Sequence, residues 1–216
     1  MRTKFFSTLA IIALALACAA AARAETPSLA VASEPPLFSR AQKSTAPREL
    51  SVGEMLPDIA LSDQDGREIH LRDFRGAALA FTFIYSRCSL PTFCPLTTRD
   101  FAQAQALLAQ LGVRDGWHLL SITLDPRNDT PKILSAMRDA QGDCARSWTF
   151  AAARDEEVRR LGNAVGLEFQ QVNGRIDHNL RTVVVDAGGR VRRIFRGNEW
   201  TPQELAAELR VVAVSR

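Results

Sequence analysis

The sequence predicts an α/β fold, a mixed central sheet flanked by helices, and three observations carry that prediction. Apolar runs of strand length alternate with segments of helical period, a feature of α/β rather than all-helical or all-strand domains. A Gly188-Gly189 turn near the end joins two strand-like runs before a last helix, which adds antiparallel strands to an otherwise alternating order. A cysteine pair, Cys88 and Cys94, stands between the first long strand and the helix that follows it.

Taken in order, Ile59 to Leu61 and Glu68 to Leu71 form two short strands around an Asp-Gln-Asp-Gly turn at 63–66, an N-terminal β-hairpin extension. ALAFTFIY at 78–85 is almost wholly apolar and rich in aromatic and β-branched residues, so it is a central strand covered on both faces. Pro95 suits the first position of a helix, where its missing N–H is not needed, which makes Cys94 the N-cap. Phe101, Ala104, Leu107, Leu108 and Leu111 then recur at helical spacing until Gly112. WHLLSITL at 117–124 is the next buried strand, and a helix opened by Asp129 or Thr130 follows before Pro131. WTFAAA at 148–153 is a strand, DEEVRRLGNAVG at 155–166 a helix and TVVVD at 182–186 a strand. RVRRIFRG at 190–197 completes the hairpin, and Thr201 caps a closing helix.

With a cysteine pair between the first long strand and its helix, this order narrows to a thioredoxin-like arrangement. The site then lies beyond the carboxyl end of a central strand, where open α/β sheets bind their ligands.

The organisation reads as three parts. Residues 1–24 have the form of a secretory signal peptide: Arg2 and Lys4, an apolar core, and Ala22-Arg23-Ala24 as a small-x-small cleavage site. Processing before Cys18 to give a lipoprotein, or retention of the segment as a membrane anchor, are the competing readings. Residues 25–50 are an Ala-, Ser- and Pro-rich flexible tether, and 51–216 is one domain large enough for its own core. Removing the signal leaves 24 basic against 24 acidic residues, so charge argues for neither nucleic acid nor an anionic membrane as partner. Export places the domain in the periplasm, where disulfides persist.

Of the four cysteines, Cys18 goes with the signal or carries a lipid, and Cys144 has no visible partner and reads as a partly buried free thiol. Cys88 and Cys94 are five residues apart in the sense of intervening positions, a spacing that matches neither the redox C-x-x-C nor the usual zinc pattern. A loop-closing staple and a chemical site both remain open on that spacing alone. A sulfur at a helix N-terminus meets unsatisfied N–H groups and the positive end of the helix dipole, so Cys94 is expected to be the more acidic thiol. Arg87 and Arg99 read as solvated charges.

His178 is the candidate third group. His70 and His118 fall within or beside strands, whereas His178 is read as a loop residue just before the strand at 182–186, at the same sheet end as the cysteines. Two thiolates and one imidazole make a soft, low-coordinate set suited to Cu(I), and Cu(II) outranks other divalent ions in raw affinity. Zinc would want a fourth ligand. Asp177 is the candidate to orient the imidazole.

These residues resemble the Sco/SenC family of copper-handling, thioredoxin-like proteins that serve cytochrome c oxidase assembly. The resemblance rests on FTFIYSRC and CPLT, on ITLDPRNDTP at 122–131, on Trp148, and on IDH followed by TVVVDAGGRV. It implies that Cys88, Cys94 and His178 are the copper ligands. It further implies that the partners are oxidase subunit II or a similar copper acceptor, a copper donor and a periplasmic thiol reductant. Asp125 is similar to a family residue near the site, with turn capping as its alternative role. Two departures stand out: five residues separate the cysteines where the family has three, and Asn179-Leu180-Arg181 replace the proline expected before the following strand. A thiol–disulfide oxidoreductase using the same cysteine pair is the alternative function. A peroxidase ranks lower, because Ser86 stands near Cys88 where a T-x-x-C context is expected.

Overall fold

The computed structural model describes residues 48–142 and 147–214. Residues 1–47, which hold the segments read as a signal peptide and a tether together with Cys18, and Cys144 lie outside the described residues.

Nine strands and four helices follow in the order β1 (Ala60–Asp63), β2 (Glu68–His70), β3 (Ala78–Ile84), α1 (Cys94–Gln110), β4 (Trp117–Thr123), α2 (Pro131–Asp139), β5 (Trp148–Ala152), α3 (Asp155–Val165), β6 (Phe169–Val172), β7 (Arg175–His178), β8 (Arg181–Val185), β9 (Val191–Arg196) and α4 (Pro202–Val214), counted among the described residues. A short 3-10 turn at Leu71–Phe74 follows β2. Seven strands form one sheet in the order β2-β1-β5-β4-β3-β8-β9. Its centre, β3, β4 and β5, is parallel, and β1 and β8 join antiparallel on either side.

The thioredoxin-like α/β arrangement is therefore present, with the N-terminal hairpin added to the sheet through β1 and β5. The turn of that hairpin is held by Asp63, whose carboxylate accepts the N–H groups of Asp65 and Arg67 at 2.9 and 2.8 Å. All seven residues of β3 are buried, as a strand covered on both faces requires. Helix α4 packs on α1 and on β3, while α2 packs on β5. Trp148 and Phe150 stack with centroids 5.0 Å apart, and Phe101 from α1 closes on Trp148 at 5.7 Å. The buried indole N–H donates to Ser121 Oγ at 3.0 Å, so its burial leaves no donor stranded.

Two local expectations are corrected. Helix α1 begins at Cys94 with Phe93 as its N-cap, so Pro95 occupies the second helical position and Cys94 is inside the helix. His178 ends a strand rather than sitting in a loop: β6 and β7 pair antiparallel as a separate two-stranded sheet. Asn173 and Gly174, with φ of 50° and 77°, make the tight turn between them, a conformation that Asn-Gly accepts at low cost.

Candidate thiol and metal site

The site is built at the end of β3. Immediately after Ile84 the chain turns back, with Cys88 N–H donating to the Tyr85 carbonyl at 3.3 Å. This turn is gripped by two buried carboxylates from the loop after β4. Asp129, 1 % exposed, accepts Ser86 N–H at 3.1 Å and the hydroxyls of Ser86 and Thr123. Asp125 accepts Arg87 at 2.7 Å and Asn128 Nδ2 at 2.8 Å. Asp125 is thus the turn-capping residue the sequence suggested, and it also holds the arginine beside Cys88. Arg87 and Arg99 are solvated, as read, and each also pairs with a buried carboxylate, Asp125 and Asp100. The use of Asp129 on Ser86 was not legible in the sequence, where Asp129 reads only as a helix opener.

Ser89 to Phe93 carry the chain from Cys88 to α1. Phe93 N–H closes a turn on the Leu90 carbonyl at 3.1 Å, and Asn198, in the connection from β9 to α4, donates to the Thr92 carbonyl at 2.5 Å. This folds the spacer back so that Cys88 reaches the helix start. Both cysteines are free thiols, Cys94 buried and Cys88 partly exposed.

The acidity of the pair is the reverse of the sequence expectation. Cys88, not Cys94, is the more acidic, its pKa pulled down to about 5. The neighbouring Cys94 thiol is the largest cause, followed by the backbone N–H groups of Cys94 and Leu90, against the opposing effect of burial; the Tyr85 hydroxyl donates to the Ile176 carbonyl at 3.2 Å. Cys94 is pushed up, first by its hydrogen bond to Cys88 and then by its own burial. The helix N-terminus does stabilise a thiolate, but the sulfur that receives its first N–H is the one brought back by the preceding loop. The negative sulfur and burial together raise Tyr85 to about 12.

His178 arrives from β7. Its side chain is buried, and burial lowers its pKa and keeps it neutral. Nδ1 lies 2.8 Å from the Asn179 carbonyl oxygen, which can only accept, so the ring proton is assigned to Nδ1 and the Nε2 lone pair is free. Nε2 is 3.9 Å from Cys94 Sγ. The orienting group is thus the Asn179 backbone rather than Asp177. Tyr85 and Phe93 each meet the ring edge-to-face, with centroids at 6.0 and 5.8 Å.

The fold therefore brings His178, Cys94 and Cys88 to one end of the sheet. A metal–sulfur and a metal–nitrogen bond together span about 4.3 Å, so the 3.9 Å gap lets one ion touch both Cys94 and His178. A donor set of two sulfurs and one imidazole suits copper. Among the described residues, no three His, Cys, Asp or Glu side chains stand arranged to hold a metal as they are.

Fold and site together define a thioredoxin-like protein with a helix-start dithiol facing a neutral imidazole. The SCO1/SenC family model matches residues 50–213, and the chain belongs to that family. Among solved structures, Bradyrhizobium japonicum ScoI with copper bound superposes with a TM-score of 0.61 at 20% identity, covering 74% of this chain and 99% of that one. BsSco, described as a member of the Sco family of cytochrome c oxidase assembly proteins with a disulfide switch, gives a TM-score of 0.65 at 18% identity, covering 78% and 100%. These likenesses concern the fold. A Mycobacterium tuberculosis protein named "Putative peroxiredoxin Rv2521" is 28% identical over 148 residues, 68% of this chain and 85% of that one.

Proposed function

We propose that this chain is a periplasmic copper metallochaperone for assembly of the binuclear copper centre of cytochrome c oxidase, exported by residues 1–24. Copper, as Cu(I) or Cu(II), is its cargo, held by Cys88, Cys94 and His178. The observation that carries the reading is the His178 ring itself: neutral, proton fixed on Nδ1, and Nε2 presented to Cys94 Sγ at 3.9 Å. Membership of the SCO1/SenC family and the copper-bound ScoI relative support the choice of cargo. Cys88, partly exposed and ionised, is the first sulfur a donor or acceptor can reach; Cys94 and His178 lie behind it.

Thiol–disulfide exchange by the same pair is the second reading, favoured by the low pKa of Cys88. In it, the Cys88 thiolate attacks a disulfide of the oxidase subunit or another exported protein. Cys94 then displaces the bound thiol, leaving a Cys88–Cys94 disulfide and a reduced partner.

Anaerobic Cu(I) titration of the reduced chain against a competing chelator tests the proposal. One equivalent is expected to bind, and His178→Ala is expected to weaken binding by about a hundredfold, consistent with loss of one ligand of three. Unchanged affinity in that variant refutes the ligand assignment. Turnover of peroxide by the reduced wild type would move the reading toward the mycobacterial relative's name.

A further inference from the structure

The five-residue spacer does more than join the cysteines, because its last residue touches the imidazole. Phe93 is half-buried, directly precedes Cys94, and sets its ring edge-to-face on His178 at 5.8 Å with an interplanar angle of 88°. Tyr85 meets the same imidazole at 6.0 Å and 73°. Contacts of this geometry favour a fixed mutual orientation beyond what burial alone supplies. An imidazole tethered only by one bond from Nδ1 to a carbonyl can still swing about its side-chain torsions, since the outer torsion of His is broad. Two aromatic contacts on the ring remove that freedom.

The position of Phe93 is itself held at three points. Its N–H donates to the Leu90 carbonyl, its own carbonyl accepts the Thr97 N–H at 3.0 Å as α1 begins, and the preceding Thr92 carbonyl is tied to Asn198 at 2.5 Å. The ring is therefore part of a braced arm that reaches from the cysteine loop to the β7 histidine.

We propose that Phe93 is a positioning residue for the dithiol–imidazole site. Braced by Asn198 through Thr92, it clamps the His178 ring with Nε2 aimed at Cys94 and its proton on Nδ1. This deepens the copper reading and rests on it where affinity is concerned, but the ring orientation belongs to the metal-free protein.

The test has two readouts on the full reduced chain. The first is the nitrogen NMR spectrum of 15N-histidine-labelled, metal-free protein, which reports the tautomer of His178. Wild type is expected to show a protonated Nδ1 and an unprotonated Nε2, and Phe93→Ala a mixture of tautomers. The second is Cu(I) affinity by chelator competition, expected to fall about 10–100-fold in Phe93→Ala, the range seen when groups that orient metal ligands are removed. Phe93→Tyr keeps the ring and is expected to remain within about threefold of wild type. Asn198→Ala is expected to move both readouts the same way by less. A wild-type tautomer in Phe93→Ala overturns the proposal, whether or not affinity falls. If the wild-type chain takes up no Cu(I), the metallochaperone reading fails, and the metal-free spectra alone decide the role of Phe93.

Discussion

The two ends of β3 and β4 each hold an imidazole, part-buried at one end and buried at the other, and they use it differently. At the starting end, His118 of β4 stands opposite Leu79 of β3, its Nε2 on the Thr149 hydroxyl at 2.9 Å and its ring tilted against Phe74 at 4.9 Å. Burial lowers its pKa to about 4. At the finishing end, His178 is buried and also neutral, yet its Nε2 faces a thiol and its other nitrogen is held by a backbone carbonyl. Burial alone thus makes an imidazole neutral; it does not make a ligand. What separates the two is the group facing Nε2, a threonine hydroxyl on β5 or a sulfur at a helix start.

Three measurements would break or sharpen this contrast, beginning with the finishing end. At pH 7 Cys88 is ionised and within reach of solvent, while Cys94 is buried and protonated. Iodoacetamide followed by mass spectrometry is expected to label Cys88 at least about a hundred times faster than Cys94. Because its pKa is lowered to about 5, its labelling should persist down to that pH and vanish below it. Equal labelling of both sulfurs would remove the asymmetry on which donor access rests.

A smaller effect is expected from Asp129→Ala, which leaves the Ser86 N–H and the Ser86 and Thr123 hydroxyls without their acceptor. A loss of about 3–4 kcal/mol in urea unfolding follows from stranding these donors. A change under 1 kcal/mol would show that the turn before Cys88 does not depend on it.

The smallest effect lies at the starting end and appears only in acid. The folded pKa of His118 is depressed from 6.5 to about 4, so the unfolded chain binds the extra proton first. Its contribution is fully present above pH 6.5 and is lost as pH falls toward 4, by at most about 3 kcal/mol. His118→Gln should flatten that part of the stability profile without altering Cu(I) affinity. A copper defect in that variant would abolish the distinction between the two ends.

How much of this was legible in the sequence depends on the range of the interaction. The strand at 78–85 was readable because continuous apolar residues leave a short chain few other fates, and Gly112 marked the end of α1. The pairing of distant Cys88, Cys94 and His178 at one sheet end followed from strand order. The β6–β7 hairpin was missed because β6 is largely exposed and lacks apolar alternation, although Asn173-Gly174 was the turn signal that could have found it. The acidity of the two thiols was inverted for a different reason. A helix start does favour a thiolate, but which sulfur receives the N–H depends on how Ser89 to Phe93 fold back, and spacing does not encode that. Asp129 reaches Ser86 across 43 positions, beyond any local pattern.

Among the described residues, the hairpin bearing His178 shares no ladder with the seven-stranded sheet, and the Ile176 carbonyl meets the end of β3 through the Tyr85 hydroxyl. The exposed tip, Gln170 to Arg175, can therefore change length or composition without disturbing the register of the scaffold, while Phe169 and Ile176 stay packed on the core. The imidazole rides on an interchangeable module, while the sulfurs are rooted in the frame. Grafting that module between scaffolds is a route to retuning the third donor while the first two stay put.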